Sequence, residues 1–436
     1  MRIFITGQCT LHWGRLENGN IGNYYITETT FRELHRVFPE AELVTTFQLT
    51  KEFCRKENVS VVPMTLFYNW DGNDLDIATK ELGIAYLYAK TGKLYETTPY
   101  IKQVLKSDLI LDFSGELWGD HAEAVGKNRF LIGLIKDRVA QFLNKKTALI
   151  FSSEGPFSDL DTKRFAQKVL ADFDVVVNRE SMSKELLREN GFDVSRVHNF
   201  ACPAFLFEPK SEQEVEKIIR DEKIIIPQQK TIGYILCGFN MLEGPYDKTP
   251  RRDDEFVQFA ESIEYIINEL NARVVLMSHQ NGFEKEPEFK LINGRDFPII
   301  KQLHEVLEKR GYVDMDKIVC IEKPYNPWVT KGLIKHFDMF ITGRVHGFVA
   351  AVSQYVPTVL ITRGFGPVSH RNIGFAKSVG LEEYIADPNS SMDMIDKITL
   401  CWNNRDKLRN DLKKVIPEIQ NLVREGFNEL KSIMPN

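Results

Sequence analysis

An arginine and a histidine stand two residues apart in the segment Gly343–Gly347, which reads GRVHG. The run before it, Asp338–Thr342, has an apolar centre that indicates a buried strand, and the small apolar residues after it indicate a helix. In an open α/β sheet, ligands bind beyond the carboxyl ends of the strands. The N–H groups at the helix start and the guanidinium of Arg344 would bind an anion, and the imidazole of His346 can transfer a proton near neutral pH. An arginine capping the sheet edge and a buried core histidine are the structural alternative.

Polar and glycine-bearing residues also follow strands predicted in the first half of the chain. Gly115 and Glu116 follow one strand, Glu154 stands at the tip of the next, and Arg179 comes just before a helix. Because the carboxyl ends of parallel strands lie at one edge of a sheet, we expect these side chains to point into one interdomain cleft. Turn or capping chemistry explains each of them equally well when it is taken alone.

An early glycine turn, Gly19–Asn23, leads into the first predicted helix, Tyr24–Phe38. Gly22 would let a ligand approach the main chain, and Asn23 is a natural helix N-cap. The turn is not a dinucleotide fingerprint, because Gly-x-Gly-x-x-Gly does not follow the strand. A plain glycine turn remains the alternative.

Two further candidates lie in the second half of the chain. His279 follows a strand and could hold a phosphate or a hydroxyl, and Lys331 lies on the helix before the Arg344 strand. Cations thus gather at one set of strand ends, although the formal net charge of the chain is −5. We therefore predict a small, multiply charged anion as ligand, and we exclude nucleic acid as a partner because the overall charge is acidic.

The elements that position these residues alternate along the whole chain. Short runs rich in Ile, Val and Phe are separated by amphipathic stretches, a pattern typical of βα units around a parallel sheet. A chain of 436 residues suits two domains. The predicted strands are Arg2–Thr6, Glu42–Thr46, Leu109–Phe113, Thr147–Ser152 and Asp174–Asn178, then Thr231–Leu236, Arg273–Met277, Lys317–Ile321, Asp338–Thr342 and Thr358–Ile361.

The spacing of these elements predicts four segments. An N-terminal Rossmann-like domain covers residues 1–207, a linker covers 208–230, a C-terminal Rossmann-like domain covers 231–390, and a helical tail covers 391–436. The fold class is therefore α/β.

The apolar runs and the cysteines of the chain indicate the cellular compartment of the protein. The start of the chain has too short an apolar run for a signal peptide, and no apolar run reaches the roughly 18 residues of a membrane span. The six cysteines are scattered without a Cys-x-x-Cys pair. We expect reduced thiols and a cytoplasmic protein.

Taken in order, the motifs resemble the polysaccharide pyruvyl transferase family across both domains. The matching segments are an Asn-x-Gly turn at Asn20–Gly22, Ser153–Pro156, Asn178–Ser183, and Gly343–Gly347 followed by Val356–Pro357. The resemblance implies two Rossmann-like domains with a central cleft, in the manner of GT-B glycosyltransferases. It implies a transferase that moves pyruvate from phosphoenolpyruvate onto a sugar of a polysaccharide or glycan intermediate as a ketal.

The resemblance also implies roles for individual residues. Arg344 would hold a negative group of the donor, and His346 would be the general acid. The chemistry itself also needs a base for the hydroxyl, and Glu154 or Glu116 could serve. Protonation of the enolpyruvyl methylene carbon gives an oxocarbenium-like centre that a sugar hydroxyl attacks, and a second hydroxyl closes the ketal as phosphate leaves. Donor binding is assigned to Arg179, His279, Lys331, Gly343 and Gly347, and the acceptor side to Gly22, Asn23, Gly115 and Glu116.

Phosphoenolpyruvate enters this scheme as the donor substrate, and the scheme requires neither a cofactor nor a metal ion. The acceptor would be a glycan or a lipid-linked sugar. For a lipid-linked acceptor the protein would act at the inner face of the membrane, so peripheral membrane association stays open. The oligomeric state is unknown from the sequence.

The departures from the family pattern fall in the acceptor half. Asn23 stands where family members commonly have Asp, Glu116 follows Gly115 where they have a run of glycines, and Cys202 precedes Pro203 where they have Asp. Two alternatives therefore stay open. One is a GT-B-type glycosyltransferase that uses a nucleotide sugar, with Glu322 as a candidate ribose ligand. The other is a catalytically degenerate family member that binds glycan.

Overall fold

The chain forms two compact units. The computed structural model describes residues 1–8, 19–70, 72–283, 291–364 and 369–435. The first unit contains the described residues of 1–16, 27–203 and 421–436, and the second contains those of 17–26 and 204–420.

A seven-stranded parallel sheet forms the centre of the first unit. Its strand order is β3-β2-β1-β4-β5-β6-β7, which reverses between β1 and β4 as in a Rossmann fold. The strands are β1 Arg2–Thr6, β2 Glu42–Thr45, β3 Val59–Val61, β4 Leu109–Asp112, β5 Lys146–Ser152, β6 Val175–Asn178 and β7 Val197–Asn199.

Helices cover both faces of this sheet, which is why its central strands are almost continuously buried and apolar. One side of the core contains Phe4 and Ile110, and the other contains Leu149 and Val176. The helices are α1 Ile21–Val37, α2 Lys51–Lys56, α3 Asp74–Thr91, α4 Pro99–Lys106, α5 Arg129–Phe142, α6 Leu160–Ala171 and α7 Ser183–Glu189. The first six residues of α1 are grouped with the second unit.

The second unit repeats this architecture with a six-stranded parallel sheet. Its order, β12-β9-β8-β13-β14-β15, reverses between β8 and β13. The strands are β8 Thr231–Ile235, β9 Arg273–Leu276, a separate pair β10 Gly282–Phe283 and β11 Leu291–Ile292, β12 Ile318–Cys320, β13 Met339–Thr342, β14 Thr358–Ile361 and β15 Ile385–Ala386. The helices are α8 Glu212–Asp221, α9 Val257–Asn268, α10 Phe297–Arg310, α11 Pro327–Ile334, α12 Val345–Val352 and α13 His370–Ser378.

A single long helix, α14 Ser391–Ser432, ends the described chain and contains Pro417. Its residues up to 420 are grouped with the second unit, and those from 421 onward with the first. The prediction of an α/β fold with two Rossmann-like domains and a C-terminal helical tail is confirmed.

The segment 208–230, predicted to be a linker, carries α8. The apolar side chains Val215 and Ile219 of this helix are buried, and Val215 packs where a side chain at Gly332 would stand. This segment therefore belongs to the packed second unit, whose longer part runs from Ala204 to Gln420.

The bounds of several predicted elements differ from the structure. The strand predicted over Glu42–Thr46 ends at Thr45, and the one predicted over Leu109–Phe113 ends at Asp112. The segment before α5 is a 3-10 turn, Asp120–Val125, because Asn128 adopts a left-handed conformation between the two elements. Helix α3 was not predicted from the sequence. Exposed apolar residues of this helix, such as Ile77 and Leu87, obscure its helical periodicity.

Within the described residues, no helix is both long and apolar enough to cross a membrane. Five cysteines, at positions 54, 202, 237, 320 and 401, are free thiols. Cys9 lies outside the described residues.

Candidate active site

Arg344 stands at the point where the strand order of the second sheet reverses. β13 ends at Thr342 and α12 begins at Val345, so Arg344 is the N-cap residue of α12. The Arg344 N–H donates to Thr342 Oγ1 at 3.0 Å, and this bond fixes the turn. The strand-turn-helix predicted around Arg344 is confirmed, and it places the guanidinium where ligands of Rossmann folds bind.

The guanidinium of Arg344 is paired with a carboxylate that the sequence analysis missed. Its Nε lies 3.3 Å from Oδ2 of Asp296, and its Nη2 donates to Oδ1 of the same residue. The Asp296 side chain is fully buried, and 14% of the Arg344 side chain is exposed. The orientation of Arg344 is therefore set before any ligand binds.

Asp296 is itself held by main-chain donors. Its Oδ2 accepts from the N–H groups of His279 at 3.1 Å and Gln280 at 2.7 Å. The residue stands at the N-cap of α10, whose second residue is Pro298. An acidic residue followed two positions later by proline is a common helix start, so the sequence signals the cap but not the ion pair.

Gly22 lies directly against the imidazole of His346. A Cβ at Gly22 would stand 2.4 Å from His346 Nδ1 and 2.5 Å from His346 Cβ. This close approach requires glycine, and it makes the first turn of α1 one wall of the His346 site. His346 is partly buried, with its ring edge-on to Phe375 at 6.2 Å.

The first turn of α1 is capped by Asn20. Its Oδ1 accepts from the N–H groups of Gly22 at 2.9 Å and Asn23 at 3.3 Å. The prediction that Asn23 is the N-cap is therefore wrong, since Asn23 lies inside the helix. Gly22 and Asn23, assigned to the acceptor side with the N-terminal domain, are grouped with the second unit.

Gly343 and Gly347 have packing reasons to be glycine. A Cβ at Gly343 would meet Oδ1 of Asn240 at 1.8 Å, and one at Gly347 would meet Oγ1 of Thr342 at 2.6 Å. Asn240 joins the carboxyl ends of two strands, because its amide accepts from Cys237 N–H and donates to the Thr362 carbonyl. The predicted direct contact of these glycines with the donor has no support in this packing.

His279 is buried beside the Arg344 pair. Burial and the charge of Arg344 lower its pKa to about 3, so the ring is neutral at physiological pH. The ring meets Tyr25 edge-on at 5.6 Å, and its Nε2 has no hydrogen-bond partner among the described residues. His279 can therefore act as a hydrogen-bonding group near the site but not as a cation.

Lys331 is engaged with the main chain of its own unit. Its ammonium is buried, donates to the carbonyl oxygens of Phe207 at 2.6 Å and Ala204 at 3.5 Å, and lies over the ring of Tyr25. This geometry gives Lys331 a structural role and does not support its predicted contact with the donor.

A second group of predicted residues comes together in the first unit, at the carboxyl ends of three adjacent strands. Gly115 follows β4, Glu154 follows β5, and Arg179 follows β6. Ser153 N–H donates to the Gly115 carbonyl at 3.2 Å, and Arg179 Nε donates to Ser153 Oγ at 3.0 Å. These three strand ends therefore lie together within the first unit, and the interdomain cleft stays a prediction.

Glu154 is completely buried in this group, next to Ser152, which donates to its carboxylate. Burial raises the pKa of Glu154 to about 7, and the hydrogen bond from Ser152 only partly opposes this effect. Its carboxyl group can therefore gain or lose a proton near neutral pH.

The two neighbouring acidic residues, Glu180 and Glu116, have surroundings that differ from those of Glu154. Glu180 is buried and accepts from Met182 N–H and Ser183 Oγ, so its carboxylate caps α7. Glu116, the other predicted base, lies in the 3-10 turn Gly115–Leu117 and is partly exposed. Among the described residues, no group of three His, Cys, Asp or Glu side chains could hold a metal ion.

Each unit thus presents one polar cluster at its strand ends. Arg344 and His346 in the second unit combine a fixed cation with a proton-transferring ring. Glu154 and Arg179 in the first unit combine a carboxyl group of near-neutral pKa with a cation. Such groups can bind an anion and move protons at a hydroxyl.

The fold is shared with several solved structures of very low sequence identity. A glycosyltransferase from Rickettsia africae superposes with a TM-score of 0.61 at 12% identity, covering 100% of this chain and 99% of the other. The Anabaena protein HepE in complex with UDP gives 0.58 at 11% identity over 99% and 98% of the two chains. The UDP-GlcNAc 2-epimerase of Methanocaldococcus jannaschii gives 0.55 at 13% identity over 92% and 93%.

Sequence comparison identifies the family. The amylovoran biosynthesis protein AmsJ of Erwinia amylovora is 22% identical over 283 residues, which are 64% of this chain and 63% of the relative. The match therefore spans less than two thirds of that relative. The profile of the polysaccharide pyruvyl transferase family matches residues 20–364, a range that includes both polar clusters. The chain belongs to the polysaccharide pyruvyl transferase family.

Proposed function

We propose that the protein transfers pyruvate from phosphoenolpyruvate to two hydroxyls of one sugar in a glycan intermediate, forming a ketal and releasing phosphate. The observation that carries this proposal is the Arg344–His346 turn, in which a fixed cation and an imidazole stand two residues apart at the switch point of the second sheet. The family supports a sugar acceptor.

Arg344 binds a negative group of the donor in this scheme. Asp296 holds two of its nitrogens, which leaves Nη1 to meet a carboxylate or phosphate oxygen. His346 gives its proton to the methylene carbon of the enolpyruvyl group, and the carbon that bears the phosphate becomes the electrophile. Gly22 confines the imidazole so that the proton is aimed in one direction.

Glu154 is the proposed base. A sugar hydroxyl must lose its proton as it attacks, and a carboxylate whose pKa is about 7 accepts that proton efficiently near neutral pH. We expect the transfer rate to rise with pH through about 7, because Glu154 must be ionised to accept the proton.

The direct test is incubation with phosphoenolpyruvate and a panel of glycan acceptors. Phosphate release should accompany a mass increase of the acceptor, and the product should show the NMR methyl signal of a pyruvyl ketal. His346→Ala should abolish turnover and largely spare binding of phosphoenolpyruvate. His198→Ala, at an exposed histidine on β7, is the matched control and should leave both unchanged.

Arg344 is tested by a conservative variant, because removal of its charge would leave the buried carboxylate of Asp296 without a counter-ion. Arg344→Lys keeps a positive charge beside Asp296, but a lysine cannot hold Asp296 at two points and also offer a third nitrogen to the substrate, so phosphoenolpyruvate should bind at least about tenfold more weakly. Thermal stabilisation of the wild-type protein by a nucleotide sugar, but not by phosphoenolpyruvate, would overturn the proposal in favour of a glycosyltransferase. Binding of phosphoenolpyruvate and glycan without turnover over a broad panel would instead indicate a degenerate member.

A further inference from the structure

A pocket opens beside Arg344 in the second unit. Its volume is about 70 Å³, and it is open to solvent. Its wall includes Gly238 at the end of β8, Lys248 and Thr249 from the following loop, and Arg295 just before α10. The pocket therefore lies at the switch point of the sheet, between the segments that follow β8 and β13.

The lining of this pocket is rich in positive charge. Three cations line it, namely Arg344, Lys248 and Arg295, together with one carboxylate, Asp247. Asp296 offsets the charge of Arg344 and holds two of its nitrogens, and Lys248 and Arg295 bring two further cations to the pocket.

Neither of these two cations is firmly paired. Lys248 Nζ lies 3.4 Å from Glu255 and 3.6 Å from Glu243, longer than a normal charged hydrogen bond. Arg295 is exposed, and its guanidinium has no hydrogen-bond or ion-pair partner in the described part of the chain. Both side chains can therefore turn toward a ligand at little cost.

The main chain around both residues is well anchored. Fully buried Arg251 donates to Glu255 at 2.9 Å and to the carbonyl oxygens of Glu243 and Pro245 at 2.8 Å, so it fixes the loop that carries Lys248. Arg295 directly precedes Asp296, which is tied to the main chain and to Arg344. The positive end of α10, a helix of 14 residues, adds to the attraction for an anion at Pro298 and Ile299.

We propose that Lys248 and Arg295 form the subsite for the phosphate of the donor, while Arg344 binds its carboxylate; this assignment rests on the proposed function. A carboxylate oxygen can accept from Nη1 of Arg344, which Asp296 does not hold. A phosphate dianion, which must leave after the transfer, is matched by two cations, of which Lys248 makes only long ion pairs and Arg295 is exposed. Lys248 and Arg295 would thus determine specificity for a phosphorylated donor.

The same pocket chemistry would suit the diphosphate of a nucleotide sugar, so the experiment needs separate ligands. Full-length wild-type protein, Lys248→Met, Arg295→Met and the control Lys301→Met are titrated calorimetrically with phosphoenolpyruvate, inorganic phosphate, pyruvate and UDP, without acceptor. Lys301 is an exposed cation on α10 that does not line the pocket.

Each of the two pocket variants should weaken binding of phosphoenolpyruvate and of inorganic phosphate by about tenfold, the effect of losing one charged contact. Pyruvate, which has the carboxylate but no phosphate, should bind both variants as it binds the wild type. Lys301→Met should change no affinity more than about twofold. Because Arg295 is exposed, Arg295→Met tests the proposal even if Lys248→Met folds poorly.

Unchanged phosphate affinity in both variants would overturn the subsite, as would an equal loss of pyruvate affinity. Binding of UDP through these two residues, with no binding of phosphoenolpyruvate, would overturn the assignment to the donor phosphate. If phosphate binding depends on Lys248 and Arg295 but no acceptor ever receives pyruvate, the phosphate subsite stands and the proposed function fails. If turnover is observed but neither variant changes the affinity for phosphate, the proposed function stands and the phosphate subsite fails.

Discussion

The guanidinium of Arg344 and the carboxylate of Asp296 form a two-point ion pair in which the carboxylate is fully buried. A buried carboxylate is tolerated only when its oxygens are fully partnered. Here the remaining acceptor capacity is met by the main-chain N–H groups of His279 and Gln280. The pair thus ties the ends of β9 and β13 and the start of α10 into one rigid unit.

Removal of the carboxylate should destabilise the second unit strongly. Asp296→Ala leaves Arg344 without its counter-ion and two N–H groups without an acceptor, so we expect the free energy of unfolding to fall by about 3–5 kcal/mol. Asp406→Ala, at an exposed aspartate on α14, should change it by no more than about 0.5 kcal/mol. Urea denaturation measures both. A loss below about 1 kcal/mol for Asp296→Ala would show that the pair is not structural.

A methyl group at Gly22 should disturb His346. Its Cβ would overlap the imidazole, and the contact with His346 Cβ cannot be relieved by ring rotation alone. We expect Gly22→Ala to lower kcat at least about tenfold, with a stability cost of about 1–3 kcal/mol from overpacking. Gly83→Ala is the control, because nothing lies within 4 Å of a Cβ there and alanine favours the helix. Full activity of Gly22→Ala would show that His346 takes no part in the reaction.

The sequence predicted those features of the site whose residues are neighbours in the chain. The turn at Arg344 could be predicted because an apolar strand, a glycine and a helix of small residues follow one another within the segment. Its partner Asp296 could not, because the two residues are 48 positions apart and nothing in one sequence links them. The contact of Gly22 with His346 escaped prediction for the same reason, although both residues were named separately.

Residue type alone also fails to give the direction of a side chain. A lysine on the helix before the Arg344 strand suggested a ligand for an anion, yet Lys331 turns inward to two carbonyl oxygens. The glycine at 343 suggested room for a ligand, yet Asn240 fills that space. The alternating strands and helices, in contrast, follow from hydrophobic periodicity, which is why the fold class was predicted correctly.

Glu154 should make stability depend on pH. Its folded-state pKa of about 7 lies above its ordinary value of 4.5, so the folded protein holds the proton more tightly than the unfolded chain. The stability from this group is fully present below pH 4.5 and is lost as the pH rises through about 7. Glu154→Gln removes this loss, so the variant should be more stable than the wild type at pH 8, by roughly 3 kcal/mol at most.

Thermal denaturation at pH 5 and pH 8 tests this expectation. The gain of Glu154→Gln should appear at pH 8 and largely vanish at pH 5, while its transfer activity should be lost at both values. Glu189→Gln, at an exposed carboxylate in the same unit, should show no such difference. If the gain of Glu154→Gln over the wild type were no larger at pH 8 than at pH 5, Glu154 would be ionised without a stability penalty.

Lys331 should contribute to the stability of the folded protein and not to the binding of phosphoenolpyruvate. In Lys331→Met the apolar stem is retained but the carbonyl oxygens of Phe207 and Ala204 lose their buried donor, which costs about 1–3 kcal/mol. The KM for phosphoenolpyruvate should stay within about twofold of the wild-type value, because the ammonium faces the main chain. Lys335→Met, at an exposed residue next to the same helix, removes only a surface ion pair with Glu212 and should leave both quantities unchanged. If Lys331→Met raised the KM tenfold without lowering the melting temperature, Lys331 would be a donor ligand after all, and the structural role inferred from its two carbonyl contacts would be wrong.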